Sequence, residues 1–229
     1  MKINICVPYR NMQDHLDNFI NQFRAENATD LGLLIVEQSD DGRRFNLGKL
    51  TNIGYHFSKT INQFHNSIYM FYPVDFIPKY FSQYLDYIVK IPNNGILCLY
   101  DEINQPDTTF YKSCMYTDHA METTNGYPNN FWGWGSEDRC FLSRIEHMKI
   151  QKSFIDFGPT IIRDRNPSPD RNLSLDIFRT IGIDDAIQDN TSKSCNLSDM
   201  MNDGLSSLTY KIQNFYDIDL NIKKVIVEL

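Results

Sequence analysis

Ile3-Asn4-Ile5-Cys6-Val7-Pro8, then Leu16, Phe19, Ile20 and Phe23, then Leu33-Leu34-Ile35-Val36: the reading of this opening decides the fold. Ile3, Ile5 and Val7 alternate with other residues, as in a strand, and Pro8 ends the run. The next four apolar residues share one face of a helix. Leu33–Val36 has no polar interruption, which suits a strand buried on both faces. The pattern then repeats. Leu47, Leu50, Phe57 and Ile61 predict a second helix with Asn46 as its cap. Ile68-Tyr69-Met70-Phe71 reads as a buried strand, Phe81, Tyr84, Leu85 and Ile88 as a helix, and Ile96-Leu97-Cys98-Leu99 as another strand.

Strands alternating with helices imply βαβ units and a wound α/β sheet. In such sheets ligands bind beyond the carboxyl ends of the strands, so functional residues are expected just after Val7, Val36, Phe71 and Leu99. The second half reads differently. Residues 125–138 are rich in Gly, Asn and Trp, residues 163–175 in charge and proline, and both are expected to be loops. Residues 182–204 are polar with little helical character. Leu205–Tyr210 and the alternating Val225, Val227 and Leu229 are expected to close the chain as a strand pair. No repeat or linker divides residues 1–229, so one domain is expected.

Composition excludes several classes. A hydrophobic share of 41% supplies a core, so wholesale disorder is out. A net charge of −7 argues against a nucleic-acid binder, which needs a basic face. No stretch resembles a membrane span or a secretory signal. The five cysteines are scattered without a C-x-x-C pair, which suits buried thiols in the cytoplasm or another reducing compartment. Asn27-Ala28-Thr29 and three further sequon matches are accounted for by an Asn-rich composition. Gly42–Lys49 has one spacer too many for a phosphate-binding Walker loop, and Leu50 stands where Ser or Thr is needed.

Four stretches carry candidate chemistry. Pro8-Tyr9-Arg10-Asn11 follows the first strand, where a ring can stack on a base and a guanidinium can pair with phosphate; an ordinary strand-to-helix turn is the plain alternative. Pro73-Val74-Asp75 follows the Phe71 strand, and a carboxylate there can hold Mg²⁺ or Mn²⁺ or simply cap a helix. Asn125-Gly126-Tyr127-Pro128-Asn129-Asn130-Phe131-Trp132-Gly133-Trp134-Gly135-Ser136-Glu137-Asp138 holds both tryptophans. Gly133 and Gly135 make Trp134 a candidate lid, and one of the acids can take a proton from an acceptor hydroxyl. The plain reading is that Ser136 caps a helix whose first turn favours the two acids. Asp203-Gly204-Leu205-Ser206-Ser207-Leu208-Thr209-Tyr210 is the fourth.

Val7–Asn11, Phe45-Asn46 with Lys49-Leu50 and Asn52, Val74-Asp75 with Pro78, the Asn125–Asp138 block and Asp203–Tyr210 together resemble, in order, the motifs of the beta-1,4-galactosyltransferase family. The resemblance implies a GT-A fold, a Rossmann-like wound mixed sheet flanked by helices. It implies an inverting transfer of a hexose or N-acetylhexosamine, galactose first, from a UDP-sugar to a carbohydrate acceptor. Pro8, Tyr9, Arg10, Phe45 and Val74 would line the donor site, and Trp134 would close over it. Asp75 would bind Mn²⁺, with Mg²⁺ as the alternative. Asp138 would be the base, and Ser136 and Glu137 would help hold the acceptor.

The departures from the family pattern are specific. Its Asp-Val-Asp reads Pro73-Val74-Asp75, and expected arginines are Met12 and Leu47. Its Met-x-x-His ligands fall on Ile161 and Asp164, so Asp164 would join Asp75 on the metal through hard oxygen. The family's disulfide cysteines have no counterpart pair. These losses raise the alternative of a non-catalytic nucleotide-sugar or carbohydrate-binding module on the same fold, while Trp134 and Glu137-Asp138 favour the enzyme.

Overall fold

Alternation along β1 (Lys2–Tyr9) sends its side chains into two separate cores. Ile3, Ile5 and Val7 pack with Leu16, Phe19, Ile20 and Phe23 of α1 (Gln13–Glu26), whereas Cys6 faces the other side. β2 (Leu31–Gln38) splits likewise, Leu31, Leu33 and Ile35 against Leu34 and Val36. Both faces being covered, neither can be polar, which explains the unbroken apolar run. α2 (Leu47–Thr60) covers the second face with Leu50, Ile53 and Tyr55. Asn46 caps it as expected, its Oδ1 accepting from the Lys49 amide at 2.9 Å.

The computed structural model describes residues 2–60, 67–78, 80–100, 114–133, 135–156, 161–163, 195 and 197–229. After α2 come β3 (Ser67–Phe71), β4 (Phe76–Pro78), α3 (Gln83–Tyr87), β5 (Gly95–Tyr100), β6 (Cys114–Tyr116) and α4 (Asp118–Thr123). Then follow α5 (Glu137–His147), β7 (Gln151–Asp156), β8 (Ile161–Arg163), α6 (Leu197–Asn202), β9 (Lys211–Asp219) and β10 (Ile222–Glu228). Eight strands form one sheet in the order β7-β5-β6-β3-β1-β2-β10-β9. β3, β1, β2 and β10 run parallel, as do β5 and β7. β6 is antiparallel to both its neighbours, and β9 forms a hairpin with β10. β4 and β8 make a separate antiparallel ribbon, with Phe76 opposite Arg163 and Pro78 opposite Ile161.

Two expectations are corrected. Leu205–Tyr210 is not a strand: Leu205–Ser207 is a 3-10 turn, and the partner of β10 is Lys211–Asp219. The Leu205 and Ser206 amides donate to the main-chain and side-chain oxygens of Asn125, so they are withdrawn from any ladder. Ser136 does not cap α5 through its hydroxyl; it takes a left-handed φ of 71° and makes no side-chain cap bond. Within the polar 182–204 stretch, α6 is helical, and Met200 is buried against the rest. All five cysteines are free, four of them buried, and Cys98 faces Cys114 across β5 and β6. Among the described residues no helix is long and apolar enough to cross a membrane.

α2 lies so close to β1 that a Cβ on Gly54 would stand 2.0 Å from Cys6 Sγ. Gly54→Ala is therefore expected to destabilise the protein in urea titration by about 1–3 kcal/mol through overpacking. That outweighs the roughly 1 kcal/mol that alanine adds within a helix. Adding Cys6→Ala should recover part of the loss. A Gly54→Ala protein more stable than the parent would refute this packing.

Candidate active site

The sheet's carboxyl ends bring together the turn after β1, the loop after β2, and the end of β3. Arg10 is buried (7% exposed), its Nη1 donates to the Arg43 carbonyl at 2.8 Å, and its guanidinium lies 5.6 Å from the Phe45 ring centroid. Gln38 folds the loop after β2 back on itself: Nε2 donates to the Arg44 carbonyl at 3.0 Å, and Oε1 accepts from the Asn46 amide at 2.9 Å. Arg43 is gripped by Asp41 and lies over the Trp132 ring at 5.1 Å. Asp41 titrates low because the Arg43 amide and guanidinium outweigh the opposing effect of its burial. Lys49 follows in the first turn of α2, its pKa lowered by burial and then by the nearby Arg43 charge. Arg10, Arg43 and Lys49 thus place cations around the amino end of α2, where the helix dipole adds positive potential.

The Gly- and Asn-rich block packs against this loop. Gly133 N–H donates to the Phe45 carbonyl at 2.8 Å. Asn46 Nδ2 donates to the Asn129 carbonyl at 2.7 Å. Asn52 Nδ2 donates to the Tyr127 carbonyl (2.7 Å) and to Asn129 Oδ1 (2.9 Å), and its Oδ1 accepts from the Tyr127 amide. Asn129 reaches in turn to the C-terminal block, its amide donating to Asp203 Oδ1 and its Nδ2 to the Gly204 carbonyl. Asn125 does the same through Met200 and Ser206. The Tyr127 ring stacks on Phe141 of α5 at 4.0 Å. Burial first, and then the Asp138 charge, hold the Tyr127 phenol protonated.

The expected site residues separate as follows. Pro8, Arg10, Val74 and Glu137 are buried, and Phe45, Asp75, Ser136 and Asp138 are half-buried. Phe45 is therefore better exposed than Tyr9 to meet a base. Tyr9 is 3% exposed; its hydroxyl donates to Gln13 Oε1, and Lys224 Nζ lies 5.4 Å from its ring centroid. Glu137 and Asp138 open α5, where the helix dipole favours carboxylates. Gly133 and Gly135 both take positive φ, 83° and 110°, the freedom a hinge around residue 134 requires. Trp134 itself and Asp164 lie outside the described residues. Asp75 sits between β3 and the β4–β8 ribbon. Among the described residues no three metal-binding side chains cluster.

Sequence reasoning missed Gln38, Asn129 and Arg144. Each is a polar residue buried in this region, and a single polar letter at a strand end, in a loop or in a helix gives no periodic signal.

Residues 1–86 match the N-terminal region of glycosyl transferase group 7, and residues 110–165 match a profile described as the N-terminal domain of galactosyltransferase. Beta-1,4-galactosyltransferase 1 of Mus musculus and of Homo sapiens are each 28% identical over 227 residues, 92% of this chain and 51% of theirs. The chain spans about half the length of the curated relatives it matches. The catalytic domain of Drosophila beta-1,4-galactosyltransferase 7 in complex with xylobiose superposes with a TM-score of 0.69 at 18% identity, covering 100% of this chain and 94% of that one. A mutant of that enzyme in complex with manganese, UDP-Gal and xylobiose gives 0.67 at 21%, with the same coverage. These neighbours share the GT-A fold: a mixed sheet flanked by helices. By its matched profiles, which together span more than half its length, and its relatives, this chain belongs to the beta-1,4-galactosyltransferase family of glycosyltransferases.

Proposed function

We propose that this chain transfers a sugar, galactose first, from a UDP-sugar to a carbohydrate hydroxyl with inversion. The carrying observation is the joining of two surfaces: the Arg10–Phe45 contact of the strand ends and the acid-bearing start of α5, linked through Asn46, Asn52 and the 125–133 block. Phe45 stacks the base, and Arg10 and Lys49 set positive charge beside the diphosphate. Asp138 takes the proton of the acceptor hydroxyl as its oxygen attacks the anomeric carbon from the face opposite the leaving diphosphate. Glu137 and Ser136 orient the acceptor, and Trp134 closes over the donor to exclude water.

A divalent metal fits this frame. Asp75 immediately precedes β4 and is half-buried beside the carboxyl end of β3, and Asp164, the second ligand of this reading, lies outside the described residues. Two carboxylates with substrate phosphates are a sufficient ligand set for Mn²⁺ or Mg²⁺, which supplies neutralisation of the leaving diphosphate. An all-oxygen contribution from the protein tolerates Mg²⁺ better than one with imidazole and thioether. The alternative is a binding module without turnover, favoured by Pro73, Met12 and Leu47.

Release of UDP from UDP-galactose with Mn²⁺, with and without xylobiose and other simple sugars, separates the two readings. UDP affinity measured by calorimetry should drop on chelation and for Asp75→Asn alike. Unchanged affinity in both cases would dismiss the metal role. Asp138→Asn should retain donor affinity while transfer falls by roughly 10²–10⁴-fold, the usual contribution of acid–base catalysis. Trp134→Ala should raise the donor KM and lower kcat together, and Glu137→Gln should act mainly on the acceptor. Near-normal transfer by Asp138→Asn with none by Glu137→Gln would move the base to Glu137. UDP release indifferent to both would leave the binding module as the better account.

A further inference from the structure

Arg144 lies on α5, two turns beyond the acids, and is 2% exposed. Nη1 donates to the Gly126 carbonyl at 2.7 Å and reaches the Asn125 carbonyl at 3.4 Å; Nη2 donates to the Asp203 carbonyl at 2.7 Å. One guanidinium therefore joins three chain segments: the start of the 125–133 block, α5, and the C-terminal block. Its acceptors are main-chain carbonyls, and among the described residues it forms no ion pair. The space is tight, since a Cβ on Gly204 would stand 2.0 Å from the Asn125 carbonyl oxygen and 2.9 Å from Arg144 Nη1.

A cation buried among carbonyl dipoles is a poor device for stability, because an apolar side chain of similar volume avoids its desolvation. It is a good device for geometry. The planar fork reaches its carbonyl partners only when α5 stands at one height and one rotation relative to both segments. Those segments bear on the reaction. Gly126 precedes Tyr127, whose ring stacks on Phe141 of α5. Asp203 holds the amide of Asn129, whose side chain meets Asn52. A helix is stiff along its axis at 1.5 Å per residue, so what fixes Arg144 also fixes Asp138 about 9 Å away.

We propose that Arg144 is a positioning residue for transfer: it holds α5 so that Asp138 meets the acceptor hydroxyl. The inference rests on the reading of Asp138 as base. Misplacing a reacting group by about 1 Å costs on the order of 10²-fold, which sets the scale of the effect.

The test is a double-mutant cycle on the full chain, with UDP-galactose, Mn²⁺ and xylobiose. Arg144→Met should lower kcat by about 10–100-fold, with donor KM changed less than about twofold. Arg144→Lys, which keeps the charge but not the fork, should recover part of that loss. In the Asp138→Asn background, Arg144→Met should add less than about a further twofold, because the group it positions is gone. A loss from Arg144→Met that multiplies undiminished onto Asp138→Asn overturns the inference, as does a change confined to donor KM. If Arg144→Met does not fold, Arg144→Lys carries the same cycle, and a kcat equal to the parent's overturns it. A large effect of Asp138→Asn with none from Arg144 sinks this inference alone. If Asp138→Asn leaves transfer intact, or the parent transfers nothing, the reading of the base fails and this inference falls with it.

Discussion

The segment from Asn125 to Gly133 is irregular and largely buried, and a backbone in that condition needs partners that neither a helix nor a ladder supplies. Asparagine side chains provide them. Asn52 satisfies the amide and carbonyl of Tyr127 at once, Asn46 takes the carbonyl of Asn129, and Asn129 passes the connection on to Gly204. The amide group suits this because it donates and accepts without charge, so its burial costs less than that of a carboxylate or an ammonium. Unmade bonds in such a network cost about 1–3 kcal/mol each, so the loop, α2 and the C-terminal block stand or fall together.

Arg144 finishes the same network with a charge. Its carbonyl acceptors lie in the two segments that the asparagines hold, so α5 is tied to a frame already made rigid. Two surface ion pairs are of another kind. Arg24–Asp219 and Lys211–Glu228 have exposed partners and contribute little to stability, as surface pairs do. The central strands of the sheet need neither, since both their faces are packed and their stability rests on apolar burial. Division of labour follows: the cores hold the strands, and polar groups at the strand ends hold the loops that carry the candidate site residues.

The mixed sheet also explains why the candidate site residues gather where they do. β3, β1 and β2 run parallel, so their carboxyl ends open on one edge and deliver Asp75, Arg10 and the 39–46 loop to it. β6 runs the other way and leads through α4 to the 125–133 block, which returns to the same edge. An all-parallel sheet would have left that block on the far side.

The sequence by itself determined the elements with a periodic signal: β1, α1, β2, α2, β3 and β5 stand where apolar spacing and the Asn46 cap placed them. It also marked Arg10, Asp75 and the Glu137-Asp138 pair as candidates, because strand ends and helix starts can be located along the chain. Those signals are local, made by side chains a few residues apart. Only the tertiary structure decided that Leu205–Tyr210 stays out of the strand ladder, that the Ser136 hydroxyl does not cap α5, and that Cys98 faces Cys114. The burial of Tyr9 beneath Lys224 belongs with these, as do the roles of Gln38, Asn129 and Arg144. Each depends on a partner brought near by folding: Asn125 lies about 80 residues before the Ser206 it binds, and Arg144 lies 59 before Asp203. A hydrogen bond across such a distance leaves no periodicity in the chain, so it exists only once the strands have chosen their neighbours.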